Sequence, residues 1–234
     1  MKKVYRIALI ALVLALAIPS VVLADTSVSL INGTWSGTFS AGMGSSSVKS
    51  TCYITCKDGV ARFRAAGKTK MLTYAFNGNK LIVTGSLYGV TKTPELTYSV
   101  DKKVSSLKLT STYLPMLPIS ARLSKTSPAV SKIHVSRPKA SKPKTVGIYT
   151  NGVTEYVYLT TSSGMVVGTS DTRESGRFLI SYSGWKKGYN TLYAYAGQYD
   201  VHGNRPVMKT VGQTLDAADK ASLSKALKVK VRAS

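Results

Sequence analysis

The chain has 234 residues, 44% of them hydrophobic, with 32 Lys and Arg against ten Asp and Glu, a formal charge of +22 at pH 7. That length allows one large domain or two of about 100 residues each. Ten acids scattered almost singly, two cysteines and two histidines leave little material for an enzyme built on paired carboxylates or a metal.

Met1-Lys2-Lys3-Val4-Tyr5-Arg6 is a basic opening, and Ile7 to Ile18 is an unbroken apolar run ended by Pro19. With Val22-Leu23-Ala24 at cleavage spacing, residues 1–24 read as a secretory signal peptide cut before Asp25. Twelve apolar residues fall short of the roughly 20 that span a bilayer, and a retained anchor is the alternative. No Cys follows the cut position, which argues against a lipoprotein. The expected location is therefore secreted or cell envelope, extracellular or periplasmic. The abundant polyanions there are wall polymers, acidic glycans and lipid headgroups, rather than nucleic acid, and a positive field favours them without specificity. The same charge also serves solubility.

From Thr34 the pattern is period-2 alternation with turn signals every eight to twelve residues, an all-β pattern. The expected strands are Thr34–Ala41, Val48–Cys56, Val60–Ala66, Thr69–Asn77, Lys80–Tyr88, Glu95–Asp101, Ser105–Tyr113 and Leu117–Leu123. Gly42-Met43-Gly44, Asp58-Gly59, Gly67-Lys68 and Asn77-Gly78-Asn79 supply the turns, Asp-Gly and Asn-Gly reaching positive φ at low cost. Eight short strands so joined form an up-and-down meander, and closing it into a barrel removes exposed edges. Cys52 and Cys56 lie four residues apart, roughly 13 Å along a strand, beyond the about 7 Å a disulfide tolerates. Two thiols on one strand face are expected, and His134 and His202 are too distant in sequence to complete a metal site.

Asn32-Gly33-Thr34-Trp35, heading the first strand, resembles the Gly-x-Trp opening of the lipocalin and calycin barrels. Arg122, in Ile119-Ser120-Ala121-Arg122-Leu123, falls where that superfamily sets an Arg across the Trp. Lys80-Leu81-Ile82-Val83-Thr84-Gly85 is similar to the middle strands of small bacterial lipocalin-like domains. The resemblance spans about residues 27–125 and implies a structural barrel floor of Gly33, Trp35 and Arg122, the guanidinium on the indole giving roughly 0.5–2 kcal/mol. Tyr98-Ser99-Val100-Asp101 departs from the Thr-Asp-Tyr motif of larger lipocalins, so the resemblance alone does not establish a ligand role. A barrel of eight strands is either filled by side chains or holds one small ligand; Tyr74, Phe76, Tyr88, Tyr98 and Tyr113 are its candidate lining.

No acid occurs from Lys102 through Thr154, a stretch with ten Lys or Arg. Ser124 to Thr145, rich in Lys, Ser and Pro, marks the domain boundary, dividing the chain into a barrel over 25–124, a linker over 125–131 and a second domain over 132–234. Seven further short strands are expected there: Lys132–Ser136, Thr145–Thr150, Glu155–Thr160, Met165–Thr169, Arg177–Tyr182, Thr191–Ala196 and Val207–Val211. Their spacing suggests a β-sandwich. Gly188-Tyr189-Asn190-Thr191 with the alternating strand after it, and Asp200 with His202-Gly203-Asn204, resemble bacterial immunoglobulin-like domains over about residues 130–212. Asp216 to Leu227 reads as a short helix, and Lys228-Val229-Lys230-Val231 alternates like a terminal edge strand; a basic tail resting on anionic wall polymer is one reading, and fraying is the plainer one.

The catalytic search finds no Gly-x-Ser-x-Gly, no phosphate loop and no Cys beside a His. His202 reads as a turn residue. No catalytic, metal or cofactor-binding residue is assigned, and no enzyme is expected. The richer pattern is tyrosine, with eight of fourteen after residue 145. If Val157, Leu159, Leu192, Ala194 and Ala196 face a core, alternation turns Tyr156, Tyr158, Tyr193 and Tyr195 the other way. With Trp185, Lys186 and Lys187 these form the candidate binding surface, against the plainer reading that the rings only cover the sheet. Two functions follow: a non-catalytic envelope or surface binding protein contacting anionic wall polymer, glycan or a protein, or a carrier of a small apolar ligand in the barrel. A hydrolase inhibitor is a weaker third.

Overall fold

The structure, a computed structural model, describes residues 28–41, 48–77, 80–84, 95–111, 119–171 and 176–234. The expected signal peptide, the Gly42-Met43-Gly44 turn, most of the Asn77-Gly78-Asn79 turn and the candidate lining residues Tyr88 and Tyr113 lie outside the described residues. The chain is all-β and divides into two compact units, Met1–Lys125 and Thr126–Ser234.

The first unit is a closed antiparallel barrel of β1 (Gly33–Ala41), β2 (Val48–Lys57), β3 (Val60–Ala65), β4 (Lys68–Asn77), β5 (Lys80–Thr84), β6 (Glu95–Val100), β7 (Ser106–Ser111) and β8 (Ile119–Thr126), each paired with the next. Alternation sends Trp35, Phe63, Tyr74, Leu81, Leu107 and Leu123 inward, where all are buried. Two-residue turns set the register. Asp58 and Gly59 both have positive φ (49° and 84°), as do Ala66 and Gly67 (49° and 70°), and Lys57 then pairs with Val60 and Ala65 with Lys68. Consecutive positive φ values match the right-handed strand twist of a tight hairpin.

A 3-10 turn over Ser29–Ile31 closes one end. The Trp35 indole N–H donates to the Ile31 carbonyl (2.8 Å), and the Tyr74 hydroxyl donates to the Val28 carbonyl (3.0 Å). Asn32 ties this turn to the β2–β3 hairpin: its Nδ2 donates to Asp58 Oδ1 (2.9 Å), and its Oδ1 accepts the Asp58 backbone N–H (3.0 Å). At Gly37, β1 lies against the backbone of β8. A Cβ there would stand 2.8 Å from the Arg122 carbonyl carbon and 2.9 Å from Leu123 Cα. Only glycine lets the two strands approach so closely.

The second unit packs two sheets face to face. One has the order β13-β10-β9, from β9 (Val130–His134), β10 (Lys144–Thr150) and β13 (Arg177–Tyr182). The other runs β12-β11-β14-β15, from β11 (Tyr156–Thr161), β12 (Val166–Asp171), β14 (Gly188–Gly197) and β15 (Leu227–Ala233). Val146, Ile148, Phe178 and Ile180 of the first meet Val157, Leu159, Leu192 and Ala194 of the second in one apolar core. Part of the expected linker is strand: β8 continues to Thr126 and β9 begins at Val130.

Val207–Val211 is not a strand. The seventh strand of the sandwich is β15, pairing with β14 from Gly188↔Ala233 to Ala194↔Leu227. Between them, residues 198–226 cross the outer face of the four-stranded sheet, where Tyr199, Met208, Leu215 and Leu223 pack on Tyr156, Tyr158 and Val166 in a second small core. A one-turn helix, α1 (Ala217–Ala221), interrupts this segment, started by a reciprocal capping box of Asp216 and Asp219. That arrangement satisfies two backbone N–H groups otherwise left open.

Candidate functional site

The barrel floor keeps its Trp but not the expected cation. Trp35 is fully buried, while Arg122 is exposed on β8. Lys125 Nζ stands over the Trp35 ring instead, 5.7 Å from its centroid. Strand parity is the reason: Ala121 and Leu123 point inward, so Arg122 points out and Lys125 falls in phase with the interior face at the barrel end. Gly33, at φ 123°, leaves room for the passing lysine, whose Cε would lie 2.9 Å from a Cβ there.

Above the floor lies an apolar cavity of about 80 Å³, bordered by Phe39, Cys56, Phe63, Tyr74, Val83 and Leu109 among others. Pockets for drug-sized ligands measure roughly 300 Å³ or more. Cys52 and Cys56 are both buried free thiols on β2. Burial pushes the Cys52 thiol up to about 11 and Cys56 up to about 12, so neither is a thiolate nucleophile near neutrality. Burial likewise moves the Tyr74 phenol up to about 12.

In the second unit the structure separates the expected surface aromatics. Tyr156 and Tyr158 do face away from Val157 and Leu159, but that face is covered and both are buried. Tyr156 stacks on Tyr199 (centroids 6.0 Å, planes at 19°) and meets Tyr158 edge-on. Gly197 on β14 provides the hollow for the Tyr156 ring. The Tyr158 hydroxyl accepts the Lys209 backbone N–H (3.0 Å) and donates to Met208 Sδ (3.3 Å), pinning the crossing segment to the sheet. Burial holds Tyr158 above the ordinary phenol range and takes Tyr156 up to about 12. Tyr195 is half-buried against the same cluster. Trp185 is buried in the main core with Tyr182 edge-on to it. These four are structural.

Lys186 and Lys187 are exposed and Tyr193 is half-buried, and the basic terminal segment joins them as a strand. β15 turns Lys228, Lys230 and Arg232 outward and Val229, Val231 and Ala233 inward. Lys230 Nζ lies 4.5 Å from the Tyr189 ring centroid and Lys228 Nζ 5.9 Å from that of Tyr193. Tyr189, 66% exposed, pairs with Arg232 across the two strands. Asn190 braces the adjacent loop: its Oδ1 accepts the Lys186 N–H (2.9 Å) and its Nδ2 donates to the Lys186 carbonyl (2.7 Å). Lys186 and Lys187 are thereby fixed beside the start of β14. Such exposed lysine–ring pairs contribute about 0.5–1 kcal/mol each, and they hold the aliphatic stems along the rings with the ammonium groups in water. On the opposite sheet, Tyr149 lies between Lys132 Nζ (5.8 Å) and Arg177 Cζ (5.5 Å).

The described carboxylates are occupied elsewhere. The Asp58 carboxylate accepts from Asn32 Nδ2, Asp200 braces its turn, and Asp101 accepts from the Ser105 and Ser106 N–H groups. Buried Glu155 accepts the Tyr199 N–H (2.8 Å), and Asp171 meets Arg205 (2.9 Å). Asp216 and Asp219 cap α1 and face Lys209. Among the described residues, no three of His, Cys, Asp and Glu converge as metal ligands. Compared with known proteins, the chain matches no family model and no curated sequence.

Proposed function

We propose that the chain is a secreted, non-catalytic binding protein of the cell envelope or its surroundings, a lipocalin-like barrel joined to an immunoglobulin-like module. The second unit makes the contact, with anionic wall polymer or acidic glycan as the partner. One observation carries this reading: the described carboxylate side chains are engaged in turns, caps, one buried bond and the Asp171–Arg205 pair, while β14 and β15 carry an exposed Tyr189, a half-buried Tyr193 and outward cations, with no acid in the sequence from Ser175 to Tyr199 or from Lys220 to Ser234. Such a surface keeps its positive potential and draws in polyanions. The same disposition of carboxylates supports a role without catalysis. The about 80 Å³ cavity ranks the carrier function second, because it accommodates only a few heavy atoms.

The test is retention of the protein on purified cell wall across a salt series. Retention at low salt that declines as salt rises is expected, since screening shortens with ionic strength. No retention at low salt removes the polyanion reading, and a bound small mass in native mass spectrometry of the secreted protein would promote the carrier.

A further inference from the structure

The outward cations of β15 form a ruler. Lys228, Lys230 and Arg232 occupy alternate positions of one regular strand. At about 3.3–3.4 Å per residue their stems rise roughly 6.7 Å apart. No acid occurs in either strand or in the sequence beside them. Two of the three are also pre-positioned, because Tyr189 and Tyr193 hold Lys230 and Lys228 along their rings, which lowers the ordering cost of a contact. Arg232 adds a planar fork suited to two oxygens of one phosphate.

The geometry points to a linear phosphodiester polymer with short polyol links, lying along β15 with successive phosphates on Lys228, Lys230 and Arg232. Phosphorus atoms joined through a three-carbon link are six bonds apart, about 7 Å when extended with bonds near 1.5 Å, which matches the strand's interval. Tyr189 offers its exposed ring to the link carbons. Backbone pairing with residues 138–140 is confined to Ser234, just past the end of β15: Ser234 N–H donates to the Pro138 carbonyl (3.2 Å) and Ala140 N–H to the Ser234 carbonyl (2.9 Å). The proposed contact is made by the outward side chains of Lys228, Lys230 and Arg232. This assignment rests on the anionic-polymer reading above and narrows it to one chemistry.

The experiment titrates the full chain with poly(glycerol phosphate), and with hyaluronate and poly-glutamate of similar charge number, at several salt concentrations. Poly(glycerol phosphate) should bind tightest. K228Q/K230Q/R232Q should weaken it about tenfold or more and reduce the salt slope by about 2, three contacts at roughly 0.7 each. The charge-matched control K68Q/K70Q/K108Q, on the barrel, should change affinity less than about threefold. Amide shifts of Lys228–Arg232 in the unsubstituted protein give an independent readout and should move before those of Lys68 and Lys70. Equal losses in the two variants, or equal affinity for all three polymers, overturn the phosphate ruler and leave the polyanion reading standing. No binding to any polymer at low salt overturns both.

Discussion

Replacing Gly37 with alanine should open the barrel. The added methyl would meet the Arg122 carbonyl and stand 2.9 Å from Leu123 Cα, and both are backbone atoms of the neighbouring strand. A flexible side chain could swing aside, but here β1 and β8 must separate. Overpacking costs about 1–3 kcal/mol when side chains can adjust, so the upper end applies. At roughly 4–8 °C per kcal/mol for a domain this size, 3 kcal/mol lowers the melting point by about 12–24 °C. The units can be followed separately, since Trp35 is buried in the barrel and Trp185 in the sandwich. Trp185 Nε1 is buried without a hydrogen-bond partner, so W185F strands no acceptor and leaves Trp35 as sole reporter. Thermal unfolding of G37A in that background, read by Trp35 emission, is compared with T38A, an exposed change on the same strand expected within about 0.5 kcal/mol of its parent. A G37A melting point within about 3 °C of T38A would refute the closure argument.

Three further outcomes are expected. At pH 8, Cys52 and Cys56 should resist a thiol reagent in the folded protein and both react on denaturation, because burial holds their values at about 11 and 12; prompt labelling of the native state would contradict this. Asp101, lowered to about 2 from its ordinary 3.8 first by its Ser105 side-chain bond and then by Ser106, supplies stability that is complete above its unfolded value and lost as pH falls from about 4 toward 2. D101N should flatten that acid limb of the barrel's stability profile, and an unchanged limb would mean the loop is held otherwise. Y158F removes the acceptor of the part-buried Lys209 N–H and should cost the sandwich about 0.5–1.5 kcal/mol in urea unfolding while leaving the barrel transition in place; no loss would show that the crossing segment does not depend on that bond.

Local rules made the strands legible. Period-2 patterning separates Val157 and Leu159 from Tyr156 and Tyr158, and Asp58-Gly59 names its own turn. What lies on each face is a long-range fact. Tyr156 and Tyr158 take the predicted side, yet residues some 40 to 65 positions later cover them, and no short window carries that information. Val207–Val211 mimics a strand by its β-branched composition, yet only Met208 of its apolar residues packs down while Val207 and Val211 are exposed. The floor cation was legible in principle, since Lys125 shares parity with Ala121 and Leu123 whereas Arg122 does not. The alternation Lys228-Val229-Lys230-Val231-Arg232 stood in plain view, but its tyrosine partners lie in a strand some 40 residues earlier.

The route of the chain through the sandwich also sets a timetable. Barrel strands join in sequence order, so each hairpin can form as its second strand becomes free and only the β1–β8 seam waits. In the second unit β14 waits for residues 227–233 across a long excursion, and Ser234 bonds back to Pro138 and Ala140, nearly a hundred residues earlier. Closing such distant contacts is slow. A chain emerging vectorially would present a barrel already assembled beside a sandwich still lacking its edge, with Val229 and Val231 among the last apolar residues to dock. Until then β14 is open on that side, and this interval is when the unit is most exposed to strand exchange with a second chain.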